Sequence, residues 1–328
     1  MNLLLTGGAG YIGSHVALAL LDQGHKVTII DNLINGSKRL IPKKAIFLKC
    51  DIANNKKISN LLKNNQFDAV MHFAGFTRVG ESVKYPEKYF KNNFEKPKIF
   101  FKNCIKFGLV KIIFSSTGSV YGNVKHNNKI VETEKTKPIN PYSKSKLKLE
   151  KHLLYLAKKK KINAIILRYF NVAGADSLGR SGLITNPDNL IKAICEVATG
   201  KRDKLIVNGN SYKTKDGTAI RDFIHVSDLA EMHVLAAKNF NKDNICEIYN
   251  CGYGRGYSIK DVIKAMNIIL NKKIKIEYGE NRKGDSIYSV ACNKKFINKF
   301  YWKPRFDNLN IILKTALKWE KKINDRSY

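Results

Sequence analysis

Tyr142 and Lys146 lie four residues apart in Pro141-Tyr142-Ser143-Lys144-Ser145-Lys146. A helix through this segment, as the following Leu147-Lys148-Leu149-Glu150 suggests, puts both on one face. A phenol beside an ammonium is equipped for proton transfer. Unperturbed tyrosine titrates near ~10, so service as a base near neutrality needs a downward shift of roughly three units, from Lys146 and a positive ring held beside it. In isolation such spacing is noise; it gains meaning from a setting that requires it.

That setting begins at Thr6-Gly7-Gly8-Ala9-Gly10-Tyr11-Ile12-Gly13. Gly7, Gly10 and Gly13 fall where a turn needs permissive dihedrals and where the backbone must approach a pyrophosphate at a helix N-terminus. Asp31 closes the next apolar run, 18 residues beyond Gly13. A carboxylate there accepts bonds from an adenosine ribose and repels a 2′-phosphate, so NAD is favoured over NADP. The bland alternative is a glycine turn in a nucleotide-free fold with an incidental strand-end aspartate. Upstream of Tyr142, Lys111-Ile112-Ile113-Phe114 ends in Ser115-Ser116-Thr117, and Thr117 is the candidate to bond the reacting oxygen, against the alternative of local strand-end capping.

The elements that must position these groups are legible as apolar periodicity. Met1 to Leu5 reads as a strand, Ser14 to Gln23 as a helix stopped at Gly24, and Val27 to Ile30 as a second strand, which makes a βαβ unit. Further buried-strand candidates are Ile46 to Leu48, Ala69 to Phe73, Ile112 to Ser115 and Ala164 to Leu167. Alternation with helical segments predicts an α/β fold, a Rossmann-type doubly wound parallel sheet. After about Asn171 the texture changes to Gly, Asn, Asp and Pro-containing loops, with helices near Leu190 to Thr199 and Ile259 to Leu270. The expected division is a cofactor-binding domain over 1–170 and a smaller α/β capping domain over 171–328, with some segments packing back on the first.

Composition excludes more than it assigns. No apolar run approaches the roughly 18 residues of a membrane span, and Met1 to Gly10 lacks the features of a signal peptide, so the cytoplasm is the expected address and membrane insertion is not expected. Six cysteines are scattered without a Cys-x-x-Cys pair or a nearby His cluster, which is not metal-site spacing; no metal is expected and the thiols read as reduced. The formal charge of +32 invites a polyanion. Its lysines, however, are spread along the chain with one local run at Lys158 to Lys161, so solvated faces explain it better than a specific nucleic-acid site.

Together these motifs resemble the extended short-chain dehydrogenase/reductase family, and within it the UDP-glucose 4-epimerases. The likeness runs nearly end to end. It includes Asp31-Asn32-Leu33, Cys50-Asp51-Ile52, His72-Phe73-Ala74-Gly75, Val79-Gly80-Glu81-Ser82, Asn92-Asn93, Leu167 to Ala175, Asp216-Gly217-Thr218 and Arg221 to Val226. The resemblance implies that Tyr11, Ile12, Asp31, Asn32, Asp51, Ile52, Phe73, Ala74, Gly75, Asn92 and Phe170 surround NAD, with Tyr142 and Lys146 at the nicotinamide. It further implies that Asn171, Asn189, Leu190, Arg221, Arg282 and Asp285 hold the UDP-sugar, the two arginines near the diphosphate. A homodimer is implied as well.

The implied reaction is reversible 4-epimerisation. Tyr142 takes the proton of the sugar 4-hydroxyl while hydride leaves C4 for NAD, and the 4-ketose turns about its diphosphate before hydride returns to the opposite face. A 4,6-dehydratase is the nearest alternative, but it needs an acid beside the hydroxyl residue, where this chain has Gly118. A non-catalytic dinucleotide-binding protein is the other, opposed by retention of Thr117, Tyr142 and Lys146. Three positions depart from the family pattern: Thr77 stands where some members have a lysine beside the cofactor, Asn208 where an aromatic often lies on the uracil, and Thr117 where serine is frequent. Ser289, in Gly284-Asp285-Ser286-Ile287-Tyr288-Ser289, matches a place where a tyrosine restricts the pocket to plain hexoses; a small residue leaves room for an N-acetyl group and predicts activity on UDP-GlcNAc/UDP-GalNAc also. A surface role for Ser289, or a one-residue slip that puts Tyr288 in the pocket, is the competing reading.

Overall fold

The apolar runs of the first half become six parallel strands: β1 (Asn2–Thr6), β2 (Lys26–Asp31), β3 (Ile46–Lys49), β4 (Ala69–His72), β5 (Lys111–Thr117) and β6 (Asn163–Tyr169). The structure, a computed structural model, describes residues 1–124, 128–185, 188–240, 246–281 and 286–325. Seven more strands follow: β7 (Asn171–Ala173), β8 (Leu205–Asn208), β9 (Ile220–His225), β10 (Cys246–Cys251), β11 (Gly256–Ser258), β12 (Ile276–Gly279) and β13 (Tyr288–Ser289). The large sheet runs β10-β6-β5-β4-β1-β2-β3 with every neighbouring pair parallel. Strand order reverses between β1 and β4, so a crevice opens at their carboxyl ends, where such sheets take ligands.

Strand periodicity distributes β1 between two cores. Leu3 and Leu5 join a cluster with Val16, Leu20 and Leu229, under the helices Tyr11–Asp22 and Val226–Lys238. Leu4 faces the other way, with Ile58, Phe101 and Leu153 from the helices Asn55–Lys63, Lys96–Lys106 and Pro141–Lys158. The sheet is covered on both faces, which explains why most of its strands read as near-continuous apolar runs; β3 departs from the buried strand expected at Ile46 to Leu48, because it is the edge strand, and Ile46 is exposed.

The later residues build a second core. Helices Leu190–Ala198, Ile259–Leu270 and Leu309–Asn324 enclose Ile194, Val207, Phe223, Met266 and Leu313. Beside it β9 is flanked by β11 and β13 and also pairs with β7, while β8 pairs with β12. Strand β10 and the helix Val226–Lys238 return to the large sheet. Neither stands out in the sequence, since Cys246-Glu247-Ile248-Tyr249-Asn250-Cys251 mixes polar and apolar residues on a strand that is buried only toward its carboxyl end.

Candidate active site

The turn after β1 is built for close backbone approach. Gly7 has φ +71°, and a Cβ there would lie 2.5 Å from the Ala74 nitrogen; at Gly13 a Cβ would lie 2.4 Å from the Gly7 carbonyl. Any side chain fills this cradle. Gly10 caps the helix Tyr11–Asp22 without a side chain of its own, which leaves helix N-terminal N–H groups at the switch point of the sheet for an anion. Asp31 ends β2 beside the turn. Its carboxylate accepts from the backbone of Ala9 at 3.1 Å and Leu33 at 2.8 Å; burial raises its pKa, and these two bonds oppose the rise. With about two lone-pair sites per oxygen, further acceptor capacity remains for a ribose.

The other predicted cofactor residues gather on the same edge. Asp51 accepts from Lys96 at 2.5 Å, from the Ala53 backbone at 2.9 Å and from Asn32 at 3.4 Å. Burial pushes its pKa up, but these bonds outweigh burial and hold it below the ordinary value. Ile52 is buried among the apolar residues behind it. Phe73, Ala74 and Gly75 follow β4, with Phe73 bonded through its backbone to Thr6 at 2.9 Å. Tyr11 also acts in a way its motif does not foretell. Its hydroxyl donates to the Gly174 carbonyl at 2.6 Å and ties the glycine-turn helix to the second half of the chain.

The segment Lys91–Glu95 is a π turn between the helices Pro86–Phe90 and Lys96–Lys106. Pro97 accounts for it, because proline removes the N–H that would bond residue 93 and crowds that carbonyl. The wide turn presents Asn92 and Asn93 toward the site. Asn93 is almost wholly buried; it bonds both backbone groups of Phe76, at 2.8 and 2.9 Å, and donates to the Ser145 hydroxyl at 3.2 Å. Asn92 donates to Asn93 at 3.2 Å. Sequence reasoning assigned a contact to Asn92 and none to Asn93, whose role depends on a helix irregularity that no apolar pattern announces.

Asn140 caps the helix Pro141–Lys158 by accepting from the Ser143 backbone at 2.9 Å, and Pro141 supplies its first turn. Tyr142 and Lys146 therefore share a face, as predicted. The Tyr142 phenol lies close enough to the Thr117 hydroxyl for that group to influence its titration, while Lys146 donates to the Ser115 carbonyl at 2.9 Å and lies 5.0 Å from the centre of the Phe114 ring. A Cβ on Gly75 would sit 3.3 Å from the Lys146 nitrogen, so glycine gives this ammonium its space. Burial pushes Tyr142 up to about 12, with the neighbouring Thr117 hydroxyl opposing the rise, and burial pulls Lys146 down to about 8, with Glu150 opposing the fall. Desolvation disfavours both charged forms, so the protein alone stores a neutral phenol, and the downward shift expected of Tyr142 depends also on the positive ring held beside it.

Gly118 follows Thr117 and begins a short 3-10 turn, with Phe170 against it. A Cβ at this position would meet the Phe170 ring at 3.1 Å, so the place where a dehydratase needs an acid is closed by an aromatic ring.

The predicted substrate residues come largely from the second half. Asn189 caps the helix Leu190–Ala198 by accepting from the Lys192 backbone at 3.0 Å, and Leu190 is the first residue of that helix. In the small sheet Asn171 pairs with Phe223, two residues beyond Arg221, and Ser289 pairs with Arg221 itself. Paired residues of parallel strands leave the same face, as do residues two apart. Asn171, Arg221 and Ser289 thus share one face, and Tyr288, paired with Ile220, takes the other. The Arg221 guanidinium bonds the Ile220 carbonyl at 3.0 Å. Buried Asp222 secures the neighbourhood by accepting from the backbones of Tyr253, Gly254 and Ala291 at 3.0, 2.8 and 3.1 Å. Arg282 and Asp285 lie outside the described residues. Of the departures, Thr77 is exposed and Asn208 ends β8 partly buried.

The chain is similar to known proteins over most of its length. Residues 3–252 match the family model described as the NAD dependent epimerase/dehydratase family. A UDP-glucose 4-epimerase of Azospirillum brasilense is 40% identical over 323 residues, covering 98% of this chain and 92% of its own. The solved UDP-glucose 4-epimerase of Bifidobacterium longum in complex with NAD+ and UDP superposes with a TM-score of 0.94 over 100% of both chains, at 34% identity. The UDP-Glc/GlcNAc 4-epimerase of Campylobacter jejuni is 37% identical with a TM-score of 0.82, over 98% of this chain and 99% of its own.

Proposed function

The chain belongs to the NAD dependent epimerase/dehydratase family, and from that premise we propose that it interconverts the C4 epimers of UDP-hexoses, UDP-glucose and UDP-galactose among them. The observation that carries this reading is a buried Lys146 seated on the Ser115 carbonyl one helical turn from Tyr142, against the strand that ends in Thr117 and next to a glycine cradle that any Cβ would fill. NAD, when bound, supplies a reversible hydride acceptor for C4.

The chain's own residues then do the following. Tyr142 moves the proton at O4, and Thr117 holds both the phenol and that oxygen in line. Lys146 holds positive charge where a phenolate must form, which lowers the cost of removing the Tyr142 proton. Arg221 and the capped N-terminus at Asn189 hold the diphosphate, so the sugar can present either face while the nucleotide stays fixed. Gly118 with Phe170 leaves no carboxylate to drive elimination, which disfavours a 4,6-dehydratase.

The same face of the small sheet supports a wider substrate range. Ser289 beside Arg221 is small, so the site would accept an N-acetyl group at C2, and the likeness to the Campylobacter jejuni enzyme points the same way. We further infer a cofactor-binding part over 1–170 and a sugar-binding part over 171–328, less the segments that return to the large sheet. A homodimer through the helices Lys96–Lys106 and Pro141–Lys158 fits the exposure of Ile99, Leu154 and Tyr155 at 40%, 38% and 57%. The free state of all six cysteines fits a reducing cytoplasm. No helix among the described residues is long and apolar enough to cross a membrane.

The decisive assay incubates the purified protein with UDP-glucose, UDP-galactose and their N-acetyl analogues and resolves the products. Epimers without net NADH are expected. Stoichiometric free NADH would indicate a dehydrogenase, a 4-keto-6-deoxy product a dehydratase, and unchanged sugars a binding protein.

A further inference from the structure

Two consecutive residues of β5 each hold one residue of the helix Pro141–Lys158, next to Thr117. Ser115 accepts from Lys146 through its carbonyl, and the Ser116 hydroxyl donates to Glu150. Tyr142, Lys146 and Glu150 are spaced by four along the helix and so lie on one face. Glu150 is wholly buried. Its carboxylate takes a two-point pair from Arg168, at 2.6 and 3.1 Å. Arg168 is the direct register partner of Ser116 on β5 and of Asn250 on β10. Its guanidinium also donates to the Tyr121 hydroxyl at 2.8 Å, which donates to Asn250 at 2.7 Å. A polar row, Ser116–Arg168–Asn250, thus crosses three strands of the large sheet beneath the helix that carries Tyr142 and Lys146.

A buried ion pair roughly breaks even against an apolar pair of the same size, so general stabilisation does not account for it. What it does supply is direction: a two-point pair plus a third bond tolerates neither axial sliding nor rotation of the helix. We infer that Glu150 is a positioning residue, whose carboxylate locks the helix Pro141–Lys158 in register on the row Ser116–Arg168–Asn250 and so sets Tyr142 and Lys146 at the reacting atoms. The inference rests on the catalytic reading of that pair. Charged and titratable groups facing Lys146 are Tyr142 and Glu150 from its own helix and His72 from β4, which feels the ammonium directly.

Ser116→Ala tests this, because it removes the bond between Glu150 and the strand carrying Thr117 and leaves the Arg168 pair in place. Expected is a fall in kcat of roughly tenfold or more, with KM for UDP-galactose and the retained NAD within about twofold of wild type, since small misplacements of catalytic groups act on the chemical step. The limbs of the kcat profile should stay in place, because Glu150 keeps its charge and its Arg168 pair, and Ser116→Thr, which restores a hydroxyl, should recover most of kcat. A wild-type kcat in Ser116→Ala overturns the inference. So does an equal loss in Ser116→Ala and Ser116→Thr that follows a fall in thermal midpoint, which would mark plain destabilisation. Wild-type protein assayed alongside separates the two readings: inactivity toward every UDP-sugar defeats both, whereas an active wild type with an indifferent Ser116→Ala defeats this one alone.

Discussion

Ser289 is registered directly opposite Arg221 in the parallel pair β9–β13, so the two side chains leave the sheet on one face while Tyr288 leaves on the other. If Arg221 holds the diphosphate as proposed, Ser289, and not its aromatic neighbour, is the residue placed to limit space beside the sugar.

Ser289→Tyr should therefore abolish most turnover of UDP-GlcNAc, by more than about tenfold, while sparing UDP-glucose, because steric overlap rejects an oversized group more strongly than a missing one. Both substrate pairs are to be measured on wild type and variant. A wild type that cannot turn over UDP-GlcNAc, or a variant altered toward neither pair, removes Ser289 from the pocket.

Tyr142→Phe keeps the ring and deletes the hydroxyl beside Thr117. Loss of one acid–base group costs roughly 10²–10⁴-fold in rate, so kcat should fall by that order while NAD and UDP binding, followed by cofactor content and calorimetry, stay close to wild type. Near-normal turnover would exclude Tyr142 from the mechanism.

Gly13→Ala places a Cβ 2.4 Å from the Gly7 carbonyl and 2.8 Å from the Gly8 Cα. Both neighbours are backbone, so the turn must deform, at a cost on the order of 1–3 kcal/mol. Purified variant should carry little NAD(H) and melt lower than wild type. Full cofactor content in that variant would show that the pyrophosphate does not use this cradle.

Four buried histidines predict acid lability. Burial is the largest cause in each case, holding His15 and His233 at about 4 and His72 and His225 at about 3, against an unfolded value of ~6.5. Between those values the unfolded chain binds more protons than the folded one, so stability is intact above ~6.5 and falls as pH drops toward 4. One such histidine is worth on the order of 3 kcal/mol across that interval. Thermal midpoints recorded from pH 7.5 to 4.5 should decline steeply below 6.5, and His233→Phe should flatten the slope; a flat profile would show that these rings are protonated without unfolding.

The sequence by itself determined the parts whose signal is local. Glycines at 7, 10 and 13, Asp31, the hydroxyl run ending at Thr117 and the Tyr142–Lys146 spacing each express a constraint within one turn, strand or helix. Apolar periodicity was enough for the six strands of the first half: five are largely buried, as a sheet covered on both faces demands, and only β3 lies at an exposed edge. Only the tertiary structure decided what depends on distant neighbours. The π turn that brings Asn93 to Phe76 and Ser145, the return of β10 to the large sheet, and the row Ser116–Arg168–Asn250 under Glu150 join residues far apart in the chain, with no periodicity to announce them. Charge behaved the same way: spacing placed an ammonium near a phenol, but burial, a property of the whole fold, raised Tyr142 and lowered Lys146, because a desolvated site disfavours either ion whatever the sequence puts beside it.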